Sequence, residues 1–238
     1  MEEPLVFVDN PTPRWVRHHR CVWTAPRPLT RVIKLFSSYK DCKILFCDYL
    51  RINPANIRDA VEEFRHLPRE GSSNPSLRCA ELLEVLNNFL DGGASLHEHD
   101  IASIQGTAAF PVLIANQASR AGAAPEILFR AFRDNQPWYL PDRTSLETAF
   151  EGKVDLLHFS RSSVKRVQSL ERLFTKIGFH PRFLSKAVLE DIQTRGDEIR
   201  DQAMERDIKL RLRYITRFVG HCPNTCVPFG QLLINPLG

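Results

Sequence analysis

Four short stretches gather side chains that could do chemistry. The first, Arg14-Trp15 with Arg17, His18, His19 and Arg20, alternates cationic groups with one indole, a mixture that could stack on bases or clamp phosphates and that reads also as a protein-facing arm. The second, His97-Glu98-His99-Asp100, packs four metal-ligand types together, and His99 with Asp100 would suit a divalent ion. Adjacent residues on a helix do not face each other, so such a site needs ligands from elsewhere. The same run also reads as a helix start, where Glu98 and Asp100 meet the positive end of the helix dipole. The third, His221-Cys222 with Cys226, has a Cys-x3-Cys spacing without a second ligand pair at zinc-site spacing, and reads equally as reduced thiols near a terminus. The fourth, Asp155, His158 and Ser160, holds the residue types of a hydrolytic triad at separations too short for triad geometry on one strand.

Longer signatures are missing. The chain has no GxxxxGK[ST] phosphate loop, no GxGxxG turn, no GxSxG nucleophile elbow and no HExxH zinc helix. The expectation is therefore no catalytic residue, no cofactor and no metal. The candidate contact residues are Trp15, Arg14, Arg17 and Arg20 near the start, with Arg211, Arg213 and Arg217 near the end.

The elements that must position these residues follow from apolar spacing. Residues 1–28 contain five prolines and are expected to be extended. Leu29–Leu50 reads as two short helices broken near Ser37-Ser38, with Cys42 and Cys47 as core-facing small hydrophobes. Asn53-Pro54 marks a helix start, and Ile57, Ala60, Val61, Phe64 and Leu67 form one stripe that ends at Pro68. Asn74-Pro75 repeats the signal for a second helix, through Leu82, Leu83 and Leu86 to Gly92-Gly93. Phe110–Ile114 reads as a strand, and Pro111 marks it as an edge strand or stands within the first residue or two of one. Gln117–Pro125 reads as a mobile loop, Trp138–Leu140 and Val154–Phe159 as further strands, and 142–150 as a short helix. Val164 to Ile177 forms one helical stripe closed by Gly178; helices over 183–192 and 197–218 follow.

The fold class expected is α/β (α+β), helix-rich with a small mixed sheet packed by helices. The chain divides into an extended proline-rich arm (1–28), a helical subdomain (29–105), an α/β subdomain with C-terminal helices (106–220) and an irregular tail (221–238). Composition supports a globular protein: 238 residues, 43% hydrophobic, 25% charged. A net charge of +4 and a pI near 8.8 are too mild to require nucleic acid. No run approaches the roughly 18 apolar residues of a membrane span, so no membrane partner is expected. Without a basic, apolar leader, the six cysteines read as reduced thiols and the protein as intracellular, cytoplasmic or nuclear.

The order of segments carries a resemblance. Cys21-Val22-Trp23 with Ala25-Pro26, then Leu45-Phe46-Cys47 and Leu50, Phe110-Pro111-Val112, Trp138-Tyr139-Leu140 with Asp142-Arg143, Phe150, and the helix through Leu170 and Ile177-Gly178 to Arg182-Leu184-Ser185 resembles the downstream region of large fungal proteins. Those proteins are similar to plant NO VEIN and sacsin-like proteins and carry a chaperone-type (Bergerat) ATPase domain near the amino end. The resemblance implies that the ATP chemistry lies in an upstream domain with no counterpart here, and that this chain is a detached or truncated downstream module. The expected function is then a non-enzymatic protein-interaction or scaffold module. The rivals are a nucleic-acid binder using the Arg-rich helix faces, and a hydrolase or metalloenzyme.

Overall fold

The computed structural model describes residues 6–9, 12–69, 74–115, 126–159 and 162–194. The loop expected over Gln117–Pro125, the helix over 197–218 with Arg211, Arg213 and Arg217, and the tail with Cys222 and Cys226 lie outside these residues. The fold is mixed α/β, rich in helix, with sheets of two or three strands.

Within the expected arm, β1 (Val6–Val8) and β2 (Arg14–Val16) pair antiparallel, and Val6, Val8 and Val16 turn inward and are buried. This stretch is thus a hairpin packed into the molecule. A 3-10 turn at His18–Arg20 leads into β3 (Cys21–Val22), which runs parallel to β4 (Ile33–Lys34). The two helices expected over Leu29–Leu50 do not form. Their place is taken by β4, a 3-10 turn at Lys40–Cys42 and a π-helical turn at Ile44–Tyr49. The wider π turn brings Phe46 inward, where it packs against Trp23 and Tyr39. These elements enclose a small core of Val6, Val8, Val16, Cys21, Trp23, Leu35, Phe46 and Ile52, the N-terminal lobe.

The main body is built on a helix pair, α1 (Ile57–His66) and α2 (Pro75–Asp91). The first helix starts three residues after Asn53. Asn53 and Ala55 remain extended because Trp23 N–H bonds the Asn53 carbonyl at 2.9 Å and Ala55 N–H bonds the Thr24 carbonyl at 2.7 Å. Asn56 caps the helix instead: its Oδ1 accepts from Arg58 N–H, and Asp59 Oδ2 accepts from Asn56 N–H. Asn74 caps α2 with Pro75 in its first turn. Then follow α3 (Glu98–Gly106) and a three-stranded antiparallel sheet in the order β6 (Ile127–Arg130), β5 (Phe110–Leu113), β7 (Leu156–Leu157).

Pro111 is therefore the second residue of the central strand, which fits a proline near a strand start and not one on an edge strand. The ladder between β5 and β7 covers only Val112 and Leu113, and Pro111 lies one residue beyond it, where its carbonyl accepts from His158 N–H at 2.8 Å. The N–H that proline lacks would point to that same side, so only one bond at a ladder end is lost. Tyr139 and Leu140 add single parallel bridges to Leu156 and Phe183. Helix α4 (Thr144–Phe150) covers this end of the sheet.

The stripe from Val164 to Ile177 is split into α5 (Ser163–Ser169) and α6 (Glu171–Lys176) by a bend at buried Leu170, so that Val167, Leu173 and Phe174 all reach the core. Gly178, at φ +82°, reverses the chain after α6, and a Cβ there would press on Gln105 Nε2 at 3.1 Å. Helix α7 (Leu184–Thr194) closes the described structure.

At the centre of the body Phe179 touches the rings of Phe110, Phe132, Trp138 and Phe174, with centroids 4.0–5.9 Å apart, and is wholly buried. Phe179→Ala opens a cavity among four rings and is expected to destabilise the fold by about 3–5 kcal/mol. Urea unfolding checks this: the midpoint falls while the slope against denaturant stays constant.

Candidate functional site

The residues predicted from the first stretch come together on one face of the N-terminal lobe. In the hairpin register Phe7 stands opposite Trp15, and the two rings meet edge to face with centroids 5.5 Å apart. Both lie on the outward side of the ribbon, and Trp15 keeps 62% of its surface exposed. Beyond β2 the 3-10 turn carries His19 and Arg20. The parallel register Cys21↔Ile33 then sets the residues before β3 beside those before β4, which brings Arg31 to His19 and Arg20. The outcome is a cavity of about 740 Å3 lined by Arg14, Trp15, Arg17, His19, Arg20 and Arg31.

Among the described residues no carboxylate lies within ion-pair reach of Arg14, Arg17, Arg20 or Arg31. Their surroundings are also cationic. Residues 6–52 hold nine Lys and Arg against Asp9, Asp41 and Asp48, a formal +6 in a chain whose total is +4, which leaves the remainder at −2. Burial pushes the thiol of Cys21, in the lobe core, up to about 11 and so disfavours the thiolate, only partly offset by the nearby Arg20 charge.

Arg31 was not foreseen from the sequence. It is distant from the Arg14–Arg20 run and enters through strand pairing, although the segregation of basic residues into 12–52 is a signal visible in the sequence. Its backbone is fixed from the main body. The carboxylate of Glu63, on α1 and sealed from solvent, accepts from Thr30 N–H (2.9 Å), Thr30 Oγ1 (2.6 Å) and Arg31 N–H (2.9 Å), and pairs with Arg78 Nη2 at 2.6 Å. The same lobe exposes an aliphatic ridge on its π turn, formed by Ile44, Leu45 and Tyr49.

The other sequence candidates take structural positions. Asp100 uses both oxygens locally, accepting from His97 N–H at 3.1 Å and meeting His99 Nε2 at 3.0 Å, which makes it the cap of α3. Buried Asp155 holds the sheet, with Oδ1 accepting from Ala115 N–H at 2.8 Å and Oδ2 facing Arg130 Nη1 at 3.0 Å. Ser160, His221, Cys222 and Cys226 lie outside the described residues. Among the described residues no three His, Cys, Asp or Glu side chains converge as metal ligands, and no helix is long and apolar enough to cross a membrane.

A family model described as Domain of unknown function (DUF8348) matches residues 58–188, more than half of the chain, and the chain belongs to this family. The match begins inside α1 and ends inside α7, so it spans the main body, including Glu63 and Arg78, while Trp15 and the cavity arginines precede it. No curated protein and no solved structure matches the chain.

Two neighbouring glutamates on α1 give contrasting expectations. Glu63→Ala strips a counter-charge from Arg78, whose side chain is only 13% exposed, and leaves the Thr30 N–H, Thr30 hydroxyl and Arg31 N–H without their carboxylate acceptor; a loss of about 3–5 kcal/mol is expected in denaturant unfolding. Glu62 is half-exposed and pairs with Arg65 and His66, and Glu62→Gln should cost about 0.5 kcal/mol or less. Slight burial raises the Glu62 pKa, but the His66 hydrogen bond and the Arg65 charge outweigh it and hold the carboxyl below its ordinary value. A depressed folded pKa stabilises above the unfolded value and fades as pH falls through the folded one. The stability gap between wild type and Glu62→Gln should therefore close below about pH 4, as read from unfolding curves across pH.

Proposed function

We propose that this member of the DUF8348 family acts by binding and not by turnover, and that its partner is a protein bearing an acidic segment, engaged through the N-terminal lobe. The observation that carries the reading is the set of four guanidiniums without described carboxylate partners, gathered around an exposed tryptophan in a lobe of formal charge +6 over residues 6–52. Segregated charge of this kind steers oppositely charged partners and sets specificity. Arg and Trp are also the side chains that most often anchor protein interfaces. The Ile44–Leu45–Tyr49 ridge favours protein over nucleic acid, since exposed aliphatic side chains on the same lobe find apolar cover in a protein surface and none on a phosphate backbone. A binding role also agrees with the resemblance to a region lying downstream of an ATPase.

The second reading is a single-stranded nucleic-acid binder. It rests on Trp15, which Phe7 supports from the edge in a manner that suits base stacking.

One titration series separates the two. A short acidic peptide containing leucine is expected to quench Trp15 fluorescence, and the combined Arg14→Glu, Arg17→Glu and Arg20→Glu variant to weaken that binding by about 100-fold without unfolding at a lower denaturant concentration. Tighter binding of a mixed-sequence single-stranded oligonucleotide, with affinity dropping steeply on a log–log salt plot, would hand the lobe to the second reading.

A further inference from the structure

Resting on the reading of the lobe as a partner surface, we propose that the Arg14–Arg17–Arg20–Arg31 cavity is a subsite for a phosphorylated side chain on the partner's acidic segment.

Charge is the first argument. Four cations line one cavity and no described carboxylate neutralises them. A carboxylate entering it brings one negative charge and two oxygens. A phosphomonoester brings about −1.5 to −2 and three strong acceptor oxygens, so one group answers about half the uncompensated charge.

The second argument is the choice of cation. The lining basic residues are arginine, with no lysine among them. A guanidinium presents parallel N–H groups in a rigid fork that matches two oxygens of one phosphate, whereas a lysine offers a mobile point charge. A surface selected for diffuse attraction has no need of the fork.

Preorganisation is the third. Arg31 hangs on a backbone whose N–H is held by buried Glu63, and Arg20 on a turn closed by its N–H to the Arg17 carbonyl at 3.1 Å. These two residues come from separate segments, and the β3–β4 pairing brings both to one cavity before any ligand arrives.

Shape is the fourth. A cavity of about 740 Å3 accommodates one phosphorylated residue with its flanking side chains, and Trp15 at the rim gives them an apolar platform. A strand of nucleic acid calls instead for a basic groove tracking several phosphates, with successive aromatic platforms. This site is a cup with a single exposed indole.

The test uses the full chain and short acidic peptides identical except for a central phosphoserine, glutamate or serine, followed by calorimetry and Trp15 fluorescence. The phosphoserine peptide should bind about ten-fold or more tighter than the glutamate peptide, with inorganic phosphate competing at high concentration. Arg31→Lys keeps the charge and removes one of the four forks, so it should weaken the phosphoserine peptide more than the glutamate peptide and shrink the preference between them. Equal binding of phosphoserine and glutamate peptides overturns the phosphate subsite and leaves the acidic-partner reading standing. Failure of all three peptides to bind overturns both. An oligonucleotide that displaces the phosphoserine peptide at equal phosphate concentration overturns the subsite in favour of a phosphodiester ligand.

Discussion

A single buried carboxylate fixes the geometry on which the exposed chemistry depends. Glu63 has no contact with solvent, and an anion taken out of water is tolerated only when charge and hydrogen bonds surround it. Its partners come from two places: Arg78 on α2, and the backbone and hydroxyl of Thr30 with the backbone of Arg31. The carboxylate thereby ties the helix pair to the turn before β4. Leu29, next to that turn, is wholly buried in the main core and holds the same junction by burial of apolar surface. With the turn fixed, the position of β4 is fixed, and β3 pairs with it in one register. The cavity arginines follow from that register, so a residue inside the family-matched body governs the shape of a surface that precedes the match.

The sequence disclosed most where a single local rule acts. The stripe on α1 and the Asn-Pro start of α2 follow from helix spacing and capping alone, and Gly178 follows from the need for positive φ. Reading failed where a distant partner decides. Leu29–Leu50 has helix-like apolar spacing, but Ile33 and Lys34 are drawn into pairing with Cys21 and Val22, and what remains is long enough only for short turns. Pro111 fits an edge strand or a strand start alike until the two-residue length of β7 is known. Strand β6 escaped notice because Ile127-Leu128-Phe129 is a short continuous apolar run with no alternation; Pro125 before it was the available clue.

The site shows the same division. Arg14, Trp15, Arg17 and Arg20 lie within seven residues and were legible as a cluster, since sequence neighbours at a ribbon and its following turn stay neighbours in space. Arg31 is eleven residues beyond Arg20 and joins them only because two strands run parallel. The carboxylate that positions it is a further 32 residues on. Glu63 lies just outside the Ile57–Ala60–Val61–Phe64 stripe, where the helical period allows a polar residue, so its burial comes from the packing of Thr30 and Arg78 over it and left no mark in the sequence.

The balance of forces in the lobe explains why ligand and fold should be coupled there. Its own core comprises eight buried residues, against thirty-one in the main cluster, among those described. So small a core contributes little surplus over conformational entropy. On this core the lobe gathers a formal +6 over residues 6–52, and the mutual repulsion of those charges opposes compaction. Attachment through Glu63, Leu29 and the Trp23–Asn53 and Ala55–Thr24 hydrogen bonds offsets that repulsion from the side of the body. A bound anion would offset it from the solvent side, and because it binds the folded lobe alone it would stabilise that lobe by mass action. The same arginines that weaken the empty lobe are thus the groups through which an occupant strengthens it, and this opposition is the physical reason for anchoring such a cluster to a buried carboxylate.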